Sequence, residues 1–342
     1  MRGVVLPGNR EVIVKEFPDP EPGPGQVVVR MKASAICGSD LQAYNSKPER
    51  LLWRGEVIQG HEPSGIVEAI GDGVTGVQPG DRVTVYHYLG CGHCGHCATG
   101  NIMWCSETRG LGTKAHGGHA DFVLVDERNA LKLPDELSFI DGAAIACIAG
   151  TTFSALSKIA PSGRDTLAVF GLGPVGLTGI MFAKAMGARV IGIGRRGVRL
   201  RLACELGADE VIDIDQVTEP GKALLELTSG VGIDCAYETS GNPDAHLAMC
   251  QGLRKGGRAA IVAVGLYERK PFHPGPIIGK QLTIVGSFVM PLGMYGDLAK
   301  FMVSHNLHFE QMVTHSFGLE QATEAFALFD SGECGKVMFE WD

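Results

Sequence analysis

The chain has 342 residues, 45% hydrophobic and 20% charged, with a formal net charge of −8. At about 150 residues per domain the length predicts two domains, and the composition excludes wholesale disorder. The acidic balance excludes a polyanion such as DNA or RNA as the main partner. The 48 glycines follow no Gly-X-Y period and point to many tight turns.

The first 21 residues carry Arg2, Arg10, Glu11, Lys15, Glu16, Asp19 and Glu21, so no apolar signal core forms there. The expectation is a cytoplasmic protein without a membrane partner. The first third then reads as short strands: Val27–Lys32, Gly65–Ile70 and Arg82–Tyr86. Turn clusters such as Pro22-Gly23-Pro24-Gly25, Gly71-Asp72-Gly73 and Gln78-Pro79-Gly80-Asp81 bound them. This spacing predicts a compact antiparallel β-barrel.

Cys91, Cys94, Cys97 and Cys105 follow, with spacing C-x2-C-x2-C-x7-C. Four thiolates satisfy the tetrahedral preference of Zn2+, and two-residue gaps let a loop fold back on the metal. Disulfides between such close neighbours would be strained. His93 and His96 lie among the thiols, but four sulfurs already close the shell, so the reading is a structural zinc. Cys204, Cys235, Cys250 and Cys334 sit in apolar or helical patterns and are expected to be small buried hydrophobes.

From about Asp165 the texture changes. The runs TLAVFGLG, ARVIGIG, EVIDI, IDCAYETSG, AAIVAVG and LTIVGSF alternate with helical segments, of which Val175–Met186 and Arg199–Leu206 are the clearest. Such alternation predicts an α/β fold with a doubly wound parallel sheet. The uncharged stretch 166–183 reaches the length of a membrane span, but its glycines and Pro174 make it a strand–turn–helix. After about Gly286 the pattern is mixed and ends in an expected strand, Gly335–Trp341. The change of pattern predicts a strand-rich domain over 1–147 with a zinc lobe at about 88–106 and a Rossmann domain over 148–287, followed by 288–342.

Gly171-Leu172-Gly173-Pro174-Val175-Gly176 is a G-x-G-x-x-G between the strand TLAVF and an apolar helix. Its glycines permit the tight turn, and a pyrophosphate can sit on the helix N-terminus. Val264, closing the run AAIVAVG, is counted with these cofactor residues. An NAD site wants an acidic residue at the end of the second strand. Gly194 stands there instead, followed by Arg195 and Arg196. Nothing there repels a 2′-phosphate, and Arg195 can form a charge-assisted pair with it, so the expected cofactor is NADP rather than NAD.

Cys37 lies in Ala35-Ile36-Cys37-Gly38-Ser39-Asp40 and His61 in Gly60-His61-Glu62. With Gly65, Gly80-Asp81-Arg82-Val83, the cysteine lobe, the glycine turn and the closing GKVMF, the chain resembles the zinc-dependent medium-chain alcohol dehydrogenases along its whole length. It is most similar to their polyol and threonine dehydrogenase branch, through the start Cys37-Gly38-Ser39-Asp40. The resemblance implies that 1–147 is a GroES-like catalytic domain to which 288–342 return, with a catalytic zinc held by Cys37, His61 and Cys147. Glu62 is then an alternate or outer ligand. Polyol dehydrogenases often place Glu where Cys147 stands, so the chain mixes features of two branches.

The resemblance also implies that Ser39 relays the alcohol proton. Gln42 replaces the histidine that carries the proton onward in liver-type members, and Gln cannot titrate. Tyr44 matches a substrate-contact position, Trp53 and Arg54 share its variable segment, and Phe288 and Met290 are candidates to line the cleft; His87 and His116 are candidates to approach the site, without an assigned role. The function expected is reversible hydride transfer between a secondary alcohol or polyol and NADP, by a homotetramer or dimer with a small-molecule partner. An NAD-linked polyol dehydrogenase and an idle NADPH-binding structural protein are the alternatives.

Overall fold

Residues 26–35 read QVVVRMKASA, a β-branched run whose alternate side chains Val27, Val29 and Met31 are buried with Val67, Val83, Val85, Val123 and Val125. That alternation makes one face of a sheet a core face. The computed structural model describes residues 1–51, 56–265 and 274–342. They form two compact units, residues 1–150 with 290–342 and residues 151–289.

The first unit opens with a hairpin of β1 (Arg2–Gly8) and β2 (Glu11–Glu16). Strand β3 (Gln26–Ala35) leads into the short helix α1 (Asp40–Asn45), followed by β4 (Pro63–Ile70) and β5 (Arg82–Val85). The cysteine-rich lobe comes next, then β6 (Phe122–Asp126) and β7 (Ala130–Lys132). Helix α2 (Phe139–Ala144) starts at a capping box in which Ser138 and Asp141 satisfy each other's backbone N–H groups. It runs through a π-helical turn, Ile145–Ala149, into α3 (Gly150–Ile159). Cys147 therefore sits inside a continuous helical stretch. The stretch Phe139–Ile159 is the one helix among the described residues long and apolar enough to cross a membrane, and its apolar window is 72% buried in the protein.

The second unit alternates β8 (Thr166–Phe170), α4 (Pro174–Ala185), β9 (Arg189–Gly194), α5 (Val198–Glu205), β10 (Glu210–Asp213), α6 (Pro220–Leu227), β11 (Ile233–Glu238), α7 (Pro243–Gly252), β12 (Leu253–Ile261) and β13 (Thr283–Gly286). All ladders are parallel, in the order β10-β9-β8-β11-β12-β13. This is the Rossmann order, whose switch point lies at the C-terminal end of the first strand, here β8. The uncharged stretch 166–183 is thus a buried strand, a turn and a helix. Cys235 and Cys250 are buried as expected, whereas Cys204 is exposed on the outer side of α5.

The chain then returns to the first unit through α8 (Tyr295–Ser304), β14 (Val313–Phe317), α9 (Ala322–Ser331) and β15 (Lys336–Glu340). The larger sheet has the order β14-β15-β3-β4-β5-β7, with β6 also paired to β3. Its ladders are antiparallel except β14–β15, which is parallel, so the expected barrel is not purely antiparallel. Val4, Leu6, Ile36, Phe326, Phe329 and Phe339 form a second core in this unit, beside the loop that carries Cys37.

Candidate active site

Three segments of the first unit bring the candidate metal ligands together. Cys37 follows β3, where Asp40 Oδ2 accepts the Cys37 N–H at 2.8 Å and the Asp40 N–H returns to the Cys37 carbonyl at 3.1 Å. His61 and Glu62 lie just before β4, and Cys147 projects from the π-turn. The ligand atoms of Cys37, His61, Glu62 and Cys147 lie within 4.8 Å of one another. Ser39 Oγ is 3.3 Å from His61 Nε2.

The surroundings orient these groups. Asp40 Oδ1 stands 3.1 Å from His61 Nδ1, so the other ring nitrogen, Nε2, faces the ligand cluster. Burial alone would raise the Asp40 carboxyl, but His61 and His119 hold it well below the ordinary carboxylate range. His119 is fully buried, and its Nδ1 is 2.8 Å from Ser34 Oγ. Its Nε2 lies 3.8 Å from Asp40, a contact too long for a hydrogen bond. The Cys37 thiol is held well below its ordinary value by a hydrogen bond from Cys147, with the charges of His61 and Lys336 helping against burial.

Glu62 is fully buried, and burial pushes its carboxyl up to about 8 despite Lys336 Nζ at 2.6 Å from Oε2. The ammonium also donates to the Ile36 carbonyl at 2.9 Å. Glu62 Oε1 has no hydrogen-bond partner. A buried carboxylate oxygen left unpaired beside two thiols and an imidazole is costly for a protein that holds no cation. The donor set fits zinc: two cysteines and one histidine leave a fourth position for water, substrate or Glu62.

The lobe places the four sulfurs of Cys91, Cys94, Cys97 and Cys105 within 4.8 Å of one another. The N–H of Cys97 points to Cys94 Sγ and that of Cys91 to Cys105 Sγ, each at 3.5 Å. Burial pushes the Cys97 thiol up to about 12, so this sulfur becomes a thiolate at neutral pH only against a cation. This set also fits zinc, with all four protein ligands and no open position.

In the second unit the turn 171–176 joins β8 to α4 at the switch point of the sheet. Gly171 has φ +91°, and a Cβ on Gly176 would lie 1.9 Å from the Gly171 carbonyl oxygen. Gly173 caps α4, with Pro174 as its first residue, and a Cβ there would meet nothing within 4 Å. The space above Gly173 suits the backbone approach of a pyrophosphate, and Val175 and the first turn of α4 complete the cradle. Gly194 ends β9 and is buried, while Arg195 and Arg196 are exposed. Arg196 is engaged by acids: its N–H donates to Asp215 at 3.2 Å, and its Nε is 4.0 Å from Asp213.

The remaining site residues are more scattered. Tyr44 is 4% exposed and packs on Phe326 at 5.7 Å between ring centroids, with Arg10 over its other side. It is a core residue of α1, and this corrects its placement as a substrate contact. Met290 is also buried, and its carbonyl accepts from the Tyr86 hydroxyl. Phe288 and Val264 are exposed, Val264 at 82%. Trp53 and Arg54 lie outside the described residues. His116 Nδ1 accepts the Ile58 N–H and is not part of the ligand cluster.

Four residues at the site carry roles that sequence reasoning did not assign. Asp40 had a local signal, since it stands three residues after Cys37. Lys336 had a weaker one, as a lone cation opening an apolar strand. His119 had none, because packing distant in sequence brings it in, and His87, a candidate to approach the site, meets the His61 ring at 5.3 Å.

Family comparisons agree with this geometry. Residues 23–135 match the alcohol dehydrogenase GroES-like domain and residues 174–304 the zinc-binding dehydrogenase domain. The chain is 37% identical to the zinc-type alcohol dehydrogenase-like protein YphC of Escherichia coli K12, over 100% of this chain and 99% of that protein. It is 33% identical to L-threonine 3-dehydrogenase of Bacillus subtilis, over 95% and 94% of the two chains. Among solved structures, alcohol dehydrogenase TADH from Thermus sp. ATN1 superposes with a TM-score of 0.91 at 30% identity, covering 99% of each chain.

Proposed function

The chain belongs to the zinc-dependent medium-chain alcohol dehydrogenases, and from that premise we propose that it interconverts a secondary alcohol or polyol and its ketone with NADP. The observation that carries the reading is the convergence of Cys37, His61, Glu62 and Cys147 within 4.8 Å around a carboxylate oxygen with no partner. Cys37, His61 and Cys147 would hold the metal. Zinc bound there supplies Lewis acidity to an alcohol oxygen, and NADP supplies the hydride acceptor.

The chain's own residues do the rest. Asp40 fixes the His61 ring, and Lys336 favours the charged form of Glu62 against burial and orients it at the rim of the ligand set. Ser39 Oγ, beside His61 Nε2 and exposed to solvent, is the hydroxyl that would take the substrate proton while passing its own to water. In the nucleotide half, Gly194 removes the acid that would repel a 2′-phosphate, and Arg195 supplies a guanidinium to bind it.

The test is nicotinamide absorbance over a panel of secondary alcohols, diols and polyols, each with NADP and with NAD, in zinc-replete protein. Turnover with NADP and a clear best substrate supports the proposal. Faster turnover with NAD replaces it with an NAD-linked polyol dehydrogenase. No turnover with either cofactor favours an idle nucleotide binder.

A further inference from the structure

Cys147 is carried by an unusual piece of helix. Ile145–Ala149 form a π-turn between two α-helical segments. Such turns are rare, occur mostly as single turns at functional sites, and need support from outside the helix. Here the support arrives one residue before the ligand: His87 Nδ1 lies 2.6 Å from the Ala146 carbonyl oxygen. A carbonyl can only accept, so Nδ1 carries the proton and is the donor.

The imidazole is itself held rigidly. Asn129 Nδ2 donates to the carbonyls of Tyr86 and Tyr88, at 2.7 and 2.8 Å, on either side of His87. The Leu111 N–H donates to the His87 carbonyl at 3.0 Å. The ring is stacked near Tyr86 and tilted against Tyr88, with centroids 5.7 and 4.6 Å away. It meets the His61 ring edge-on at 5.3 Å. One buried side chain thus touches a ligand on one segment and grips the residue next to a ligand on another. It stands outside the four-residue ligand cluster, so its contact with the site runs through Ala146 and the His61 ring.

We infer that His87 is a positioning residue for Cys147, pinning the Ala146 carbonyl of the π-turn so that the thiolate meets the metal held by Cys37 and His61. The inference rests on the zinc-site reading above. Groups that orient a ligand from behind typically change metal affinity 10–100-fold when removed.

The experiment uses two variants of the full chain, His87→Phe and His87→Asn. Phe keeps a ring but removes the donor; the amide nitrogen of Asn falls near the place of Nδ1. Metal content is followed against rising chelator, and the spectrum is recorded after Co2+ replaces the weaker-held zinc. His87→Phe should lose that ion at 10–100-fold lower chelator and show a changed thiolate-to-cobalt band, with the lobe's ion unmoved. His87→Asn should restore both readings to near the wild type. Wild-type behaviour of His87→Phe, or loss in His87→Asn as complete as in His87→Phe, overturns the inference. If His87→Phe does not fold, His87→Asn decides alone: a retained ion supports the inference and a lost one overturns it. A wild-type chain holding one ion instead of two overturns the active-site reading as well.

Discussion

Leu172 occupies the space that a side chain at Gly194 would need: a Cβ on Gly194 would lie 2.7 Å from Leu172 Cδ1 and 3.1 Å from its Cβ. Leu172 is buried, within the glycine turn itself. The residue at the cofactor turn and the one at the end of the second strand are therefore coupled. Gly194→Asp alone should shift preference toward NAD only as far as Leu172 yields, and should lower stability. Gly194→Asp with Leu172→Ala should move the ratio of kcat/KM for NAD over NADP further, by about tenfold beyond the single change. Equal ratios in the single and double variants would show that Leu172 does not limit the acid.

The two arginines after β9 are not equivalent. The Arg196 guanidinium lies 4.0 Å from Asp213, and only its backbone N–H reaches Asp215, whereas Arg195 has no hydrogen-bond or ion-pair partner among the described residues. A hydrogen bond to a charged group is worth about 1.5–3 kcal/mol. Arg195→Gln should therefore raise KM for NADP by about 10–100-fold and leave KM for NAD unchanged. Arg196→Gln should have the smaller effect. The check is steady-state kinetics of both variants with both cofactors.

Lys336 and Glu62 form a buried ion pair, with side chains 3% and 0% exposed. Removing one partner of such a pair typically costs about 3–5 kcal/mol. Lys336→Met should destabilise the protein by that order in urea unfolding, and adding Glu62→Gln should recover at least half of the loss. A double variant no more stable than Lys336→Met would mean that Lys336 acts through packing or the Ile36 carbonyl rather than through Glu62.

His308 ties the returning segment to the start of α2. Its Nδ1 is 3.0 Å from Asp141 Oδ2, and the Phe309 N–H donates to Oδ1 at 2.8 Å. The hydrogen bond to Asp141 raises the pKa of His308. A raised pKa in the folded state means stability fully present below the unfolded value of about 6.5 and lost as pH rises through the folded one. His308→Ala should therefore cost most near pH 5.5 and progressively less at higher pH, by less than about 1 kcal/mol because the ring is partly solvated. Thermal unfolding of both proteins across that range checks this; a constant difference would remove the charge from the account.

What the sequence discloses about this protein follows from how far apart the interacting residues lie. The cysteine lobe and the glycine turn are contained in short windows, and their spacing alone carries their chemistry. The parallel sheet is legible because buried strands are continuous apolar runs. The β1–β2 hairpin is not, because its two-residue turn uses Asn9 and Arg10 at φ 52° and 65°, without the glycine that usually marks such turns. Tyr44 misleads because α1 is a helix of six residues whose inner face is turned toward Phe326 by packing. The π-turn at Cys147 and its grip by His87 belong to tertiary structure alone, as does the pairing of Glu62 with the first residue of the last strand.

NADP-linked alcohol oxidation is tested by the ratio of kcat/KM for NADP over NAD in the zinc-replete wild-type protein with its best alcohol. One charge-assisted contact to the 2′-phosphate predicts a ratio of about ten or more, falling toward one in Arg195→Gln. A ratio of one or less in the wild type would contradict it.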